Sequence, residues 1–348
     1  MKAITFHEVE SLNYETVPDP EIRAPGDVIL GVRLTAICGS DLHVYHGRET
    51  GLDRGTIMGH EMLGEVVETG PDVRRFAVGD RVVCPFSTSC GECFYCREGL
   101  TARCSRGRLF GWVEKGQGLQ GGQAELVRVP LADSTLVAIP DGVPSEEALL
   151  AGDILSTGFF CAERAAVGPG SVVAVVGCGP VGLMAVVAAR ELGAERIFAF
   201  DSLVERLALA EGFGAEPLDH RRSESLEVVL EATKGRGVDA VLEAVGSPEA
   251  TRLAIDVVRA GGTISAAGVH TEPQHAFSPI EAYDKNLTYR TGRCPARVYI
   301  DRVLPLVRAQ AYDLAAIISH RLPLAEGVRG YELFAQRIDG CTKVILET

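Results

Sequence analysis

The chain has 348 residues, is 46% hydrophobic and carries a formal net charge of −13. That length suffices for two domains with sizeable cores. Acidic residues spread along it leave no basic stripe for nucleic acid, so no nucleic-acid partner is expected. The amino terminus, Met1-Lys-Ala-Ile-Thr-Phe-His-Glu, lacks a basic segment followed by an apolar core, and a cytoplasmic location is the expectation.

From Met1 to about Leu155 the apolar residues recur with period two, as in 28–34, 64–69 and 124–129, with Gly, Pro and Asp punctuating the intervals. This stretch, 1–155, reads as a β-rich domain of short strands and loops. Two groups of chemically useful residues fall within it. The first is dispersed: Cys38 in Ala-Ile-Cys-Gly-Ser-Asp-Leu-His, His60 and Glu61 in Met-Gly-His-Glu, and Asp153 in Gly-Asp-Ile-Leu-Ser-Thr-Gly. A thiolate, an imidazole and carboxylates are donors for one metal ion, although spacing alone makes only a moderate case. The second is compact: Cys90, Cys93 and Cys96, followed after seven residues by Cys104. Four thiolates so close in a loop-rich segment make a closed tetrahedral zinc site, with Zn–S near 2.3 Å and no position left for substrate, so a structural role is expected of the lobe at about 84–104. Cys84 lies off that pattern, and Cys161, Cys178, Cys294 and Cys341 read as packing residues.

From about Ser156 to Arg293 strands alternate with helices: strand 172–176, helix 181–192, strand 197–200, helix 204–211, strand 240–244, helix 248–258 and strand 263–267. That alternation predicts a parallel, doubly wound sheet. The run Val172 to Ala189 is nearly free of polar side chains, yet Gly177, Gly179, Pro180 and Gly182 interrupt it after one strand's length, which argues against a membrane span. Those glycines form a G-x-G-x-x-G fingerprint after a buried strand, with Val181 opening the helix, as a dinucleotide pyrophosphate requires. Nineteen residues beyond Gly182 an acidic side chain, Asp201, ends the next strand, where it would accept hydrogen bonds from the adenosine ribose and repel a 2′-phosphate. NAD is therefore the expected coenzyme. The last stretch, 294–348, holds a predicted helix, 299–309, and a terminal strand, 342–348, and is expected to return to the first domain.

These motifs, in this order and over the whole length, resemble the zinc-containing alcohol dehydrogenases of the medium-chain dehydrogenase/reductase family. The resemblance implies an α/β protein: a chaperonin-10-like β-rich catalytic domain plus a doubly wound Rossmann domain, with the active site in the cleft between them. It implies that Cys38, His60 and Asp153 bind a catalytic zinc, with Glu61 an alternative ligand or a neighbouring carboxylate. It implies two zinc ions per chain and hydride transfer between a primary or secondary alcohol and NAD. By family position Ser40 and His43 relay the released proton. Arg206 lies beside the ribose and leaves modest NADP use open; Thr157 and Val269 border the nicotinamide, and Lys343 lies near the pyrophosphate. Phe86, Phe110, Trp112, Ile154 and Leu155 form an apolar substrate pocket suited to alkyl or aromatic alcohols. Relatives of nearly the same pattern oxidise polyols such as sorbitol, or L-threonine, and that class is the alternative. A non-catalytic NAD- or zinc-binding protein would lack ligands or relay residues, and none is missing. A homotetramer is the assembly that the resemblance implies.

Overall fold

In the computed structural model, which describes residues 1–272 and 276–348, the chain divides into two compact units. The first comprises Met1–Ser156 and Pro295–Thr348; the second is Thr157–Cys294.

The first unit is organised around the strand Val28–Ile37, the longest in the chain among the described residues. It pairs antiparallel with Glu61–Thr69 and with Leu126–Val129, and its far end pairs antiparallel with the terminal strand Val344–Glu347. Arg81–Cys84 and Val137–Ala138 extend the sheet on one side, and His320–Pro323 on the other. Two apolar clusters lie against it. One gathers Val28, Leu30, Met62, Val66, Val82 and Phe110. The other joins Ile4, Ile37, Met58, Tyr331, Phe334 and Val344, so the terminal segment packs with the first strands rather than apart from them. The helix Ser145–Ala151 closes a stretch that the period-two pattern had marked as strands and loops.

The second unit is built on a sheet of six strands among the described residues, all parallel, in the spatial order Glu216–Asp219, Arg196–Asp201, Val172–Val176, Val238–Glu243, Val258–Ala266, Thr288–Thr291. In chain order that is 3-2-1-4-5-6, the doubly wound arrangement with its reversal between Val172–Val176 and Val238–Glu243. The apolar run splits there into strand Val172–Val176 and helix Pro180–Glu191, and no helix among the described residues is long and apolar enough to cross a membrane. The strand is apolar throughout because both of its faces are covered. Some elements of this unit were not among those expected. The edge strands Glu216–Asp219 and Thr288–Thr291 are four residues each and half polar or more, and the helix Glu224–Ala232 spends much of its length in water.

Candidate active site and metal centres

Strand pairing assembles the first cluster. Glu61 is the Cα partner of Ala36, so the end of one strand delivers Cys38 beside His60 and Glu61 at the start of the next. Asp153 follows the helix Ser145–Ala151 into the same place. The Oδ2 of Asp153 lies 3.5 Å from Cys38 Sγ and 3.5 Å from His60 Nε2, and one donor atom from each of the four residues falls within 4.8 Å of all the others. Donors about 2.1 Å from a tetrahedral ion stand about 3.4 Å apart, so this spacing fits zinc. The electrostatics agree. Cys38, Glu61 and Asp153 are all buried, and burial together with Asp153 and Glu61 pushes the Cys38 thiol up. Burial works against the His60 imidazolium, yet Asp41, Cys38 and Asp153 hold it well above its ordinary value. Such a pile-up of anions is what a dication neutralises.

Asp41, to which the sequence assigned no role, organises the cluster. Its Oδ2 accepts the N–H of Cys38 at 2.9 Å, and its Oδ1 lies 3.0 Å from His60 Nδ1. One carboxylate thus fixes the backbone of the thiolate donor and leaves Nε2 of the imidazole as the nitrogen facing the ion. The available signal was an Asp three residues after Cys38, the spacing at which an acidic side chain reaches back to a backbone N–H at a helix start.

Lys343, which the resemblance puts near the pyrophosphate, lies in the first unit. It is fully buried there, donating from Nζ to Glu61 Oε1 at 2.5 Å and to the Ile37 carbonyl at 3.0 Å. The register that pairs Val344 with Ile37 puts it there. Burial disfavours its charge, but Glu61 and Cys38 keep its pKa above the usual lysine value. Glu61 Oε2, by contrast, is buried with no hydrogen-bond partner among the described residues. An orphaned carboxylate oxygen beside three metal-type donors fits an ion at the centre of the cluster.

Ser40 joins this group, its Oγ 3.2 Å from His60 Nε2. His43 lies in the short helix Asp41–Tyr45; burial first, then Arg48, pushes its pKa down, so it is a neutral imidazole able to accept a proton. Of the expected pocket residues, Phe86 sets its ring edge-on to His60, centroids 6.4 Å apart. Phe110 donates its N–H to the Phe86 carbonyl, but its ring packs in the interior with Val28 and Leu30. Trp112 lies against the second cluster, and Ile154 and Leu155 are fully buried.

The four-cysteine lobe forms a group of its own. Cys90 and Cys96 sulfurs are 4.0 Å apart and those of Cys93 and Cys104 3.9 Å, close to the edge of about 3.8 Å for a tetrahedral Zn–S₄ centre and far beyond a disulfide bond. None of the ten cysteines, all of them among the described residues, is in a disulfide bond. Hydrogen bonds from the backbone, first at Ser105 and Cys96, pull the Cys93 thiol down to about 5, which favours the thiolate a metal needs.

In the second unit the glycine turn is shaped for close approach. Gly177 has φ +90°, and a Cβ on Gly182 would lie 1.7 Å from the Gly177 carbonyl oxygen. Gly179 precedes the helix, with Pro180 and Val181 in its first turn. Asp201 ends its strand with Oδ2 accepting the N–H of Cys178 at 2.8 Å and Oδ1 accepting those of Ser202 and Leu203. Arg206 Nη1 is 3.9 Å from the same carboxylate. Val269 is partly exposed in the loop after the fifth strand, and Thr157 lies in the helix Ile154–Arg164.

Residues 24–141 match the model of the alcohol dehydrogenase GroES-like domain, and residues 180–307 that of the zinc-binding dehydrogenase domain. The chain is 42% identical to zinc-type alcohol dehydrogenase B of Aspergillus flavus, over 96% of its own length and 78% of the relative's. It belongs to the zinc-type alcohol dehydrogenases. Among solved members of this medium-chain family, the alcohol dehydrogenase of Thermus sp. ATN1 superposes with a TM-score of 0.94 at 40% identity, covering 100% of this chain and 99% of that one. A zinc-binding dehydrogenase from Sinorhizobium meliloti, bound to NADP, superposes at 0.87 and 27% identity, with 100% and 99% covered. As a zinc-type alcohol dehydrogenase the chain carries the GroES-like fold in its first unit and the Rossmann fold in its second.

Proposed function

We propose that this protein is a zinc-dependent dehydrogenase that oxidises small apolar alcohols to aldehydes or ketones with NAD. The observation that carries the reading is the buried cluster of Cys38, His60 and Asp153, with donors at tetrahedral separation and an orphaned Glu61 oxygen beside them. Bound there, zinc supplies Lewis acidity that lowers the pKa of an alcohol hydroxyl toward neutrality. The chain's own residues do the rest. Asp41 orients His60 and Cys38, and Lys343 holds one oxygen of Glu61 while leaving the other turned to the cluster. Ser40, within hydrogen-bond distance of the cluster, takes the alcohol's proton, and neutral His43 accepts it for release to water. Phe86 against His60 keeps that edge of the site apolar, which supports alkyl or aromatic substrates over polyols.

The preference for NAD is supported by Asp201, an acidic residue at the end of the strand after the glycine turn, since a carboxylate near the adenosine ribose disfavours a 2′-phosphate. NADP is the second reading, because Arg206 lies beside that carboxylate and the Sinorhizobium meliloti relative binds NADP. NADH and NADPH formation across a panel of simple alcohols, polyols and L-threonine tests both choices. The expected outcome is NADH from simple alcohols, lowered about 10²–10⁴-fold by His60→Ala. Equal rates for the variant would refute zinc catalysis at this site, and a tenfold advantage for a polyol or L-threonine would move the substrate class.

A further inference from the structure

At the carboxyl ends of the fourth and fifth strands of the parallel sheet, Val238–Glu243 and Val258–Ala266, two loops are joined around one buried residue. Glu243 Oε1 accepts the N–H groups of Val245 and Gly246, each at 2.7 Å, and its main-chain oxygen accepts those of Ala267 at 2.8 Å and Gly268 at 3.0 Å. The other carboxylate oxygen faces His270 Nε2 at 3.3 Å. The two backbones touch: a Cβ on Gly268 would lie 2.2 Å from the Gly246 nitrogen, and one on Gly246, at φ +81°, would lie 2.4 Å from the Val269 carbonyl oxygen. A loop held by main-chain bonds at its start and by an ion pair at His270 has its intervening residue, Val269, pinned from both sides.

We propose that His270 is a positioning residue for the coenzyme: its imidazolium, held against Glu243, fixes the loop carrying Val269, and coenzyme affinity falls when His270 loses its proton. The inference rests on the dinucleotide reading given above, with Val269 bordering the nicotinamide. The Glu243 carboxylate beside it raises the His270 pKa above the ordinary imidazole value, burial opposes that, and Glu272 on the same loop adds to the rise. A raised value means that the ion pair is complete below the ordinary imidazole pKa and is lost as pH climbs through the higher one. The other groups facing Glu243 do not titrate in that window. Cys161, from the helix Ile154–Arg164, and Tyr289, from the strand Thr288–Thr291, are each pushed up to about 12, chiefly by burial. Arg164, near Cys161, stays charged throughout.

The test is NADH binding by fluorescence titration to the zinc-loaded full chain from about pH 6 to about pH 9, across the titration of a raised histidine. Wild type, His270→Gln and His270→Lys are compared, with the melting temperature of each recorded without NADH. Titration at the metal cluster is common to all three, so the difference curves isolate residue 270. The expected result is that His270→Gln weakens NADH binding about fivefold or more at the acid end and matches wild type at the alkaline end. His270→Lys, cationic over the whole range, is expected to retain at the alkaline end the affinity that wild type loses. Parallel curves for wild type and His270→Gln, with melting temperatures unchanged, would overturn the proposal. So would a His270→Lys curve that falls with pH as wild type does. Failure of the wild-type chain to bind NADH at all would overturn both this inference and the dinucleotide reading beneath it.

Discussion

Lys343 and Glu61 meet as a fully buried ion pair, 282 residues apart in sequence, at the edge of the candidate metal cluster. Removing one partner of such a pair strands a charge in the interior, whereas replacing both by apolar groups of similar size is often tolerated. Lys343→Met is therefore expected to destabilise the protein by about 3–5 kcal/mol, and the double variant Lys343→Met, Glu61→Leu to recover most of that loss. Denaturant midpoints for the two, measured on the same metal-loaded protein, check the cycle; equal destabilisation by both would mean that the pair is not the source. Asp41 acts at the same scale but on the ion. Its contacts with Cys38 N–H and His60 Nδ1 predict that Asp41→Asn lowers zinc affinity at this cluster about 10–100-fold while leaving the four-cysteine lobe filled, as competition with a chelator would show. Cys38, His60 and Asp153 could be named as candidate donors from the family motifs that hold them, since thiol, imidazole and carboxylate at this spacing made only a moderate case by themselves. The place of Lys343 could not, because it depends on which strand the carboxyl terminus pairs with and in what register.

Among elements, the turn between strand Val172–Val176 and helix Pro180–Glu191 carries the most constraint. Gly182 sits against the Gly177 carbonyl so closely that a methyl group must push the helix start off the strand end. Gly182→Ala is expected to abolish NADH binding with zinc content unchanged, because the disturbed turn belongs to the second unit and the metal donors to the first. Retained binding with an intact melting transition would sink that account of the turn. This element was readable because a strand covered on both faces is continuously apolar and glycine marks its end. The sheet's outer strands were not: Glu216–Asp219 and Thr288–Thr291 have one neighbour each, carry polar side chains and leave no alternation to detect. The helix Ala296–Ala309 begins three residues before its expected start, with Ala296 buried, since the apolar stripe gives a period but not a boundary.

For the molecule as a whole, the chain leaves its first unit at Ser156 and re-enters it at Pro295, and that return supplies Lys343 and the second apolar cluster's Tyr331 and Phe334. A small-molecule substrate is consistent with the zinc-type alcohol dehydrogenase family to which the chain belongs. Among the metal-type clusters of the described residues, that of Cys38 with His60 and Asp153 is proposed to hold the ion on which alcohol oxidation depends. Metal analysis of purified, active protein, with NADH formation from a simple alcohol recorded on the same sample, tests it most directly. Two zinc ions per chain are predicted, falling to one with loss of NADH formation in Asp153→Ala; active protein holding a single zinc, in the lobe of Cys90, Cys93, Cys96 and Cys104, would contradict it.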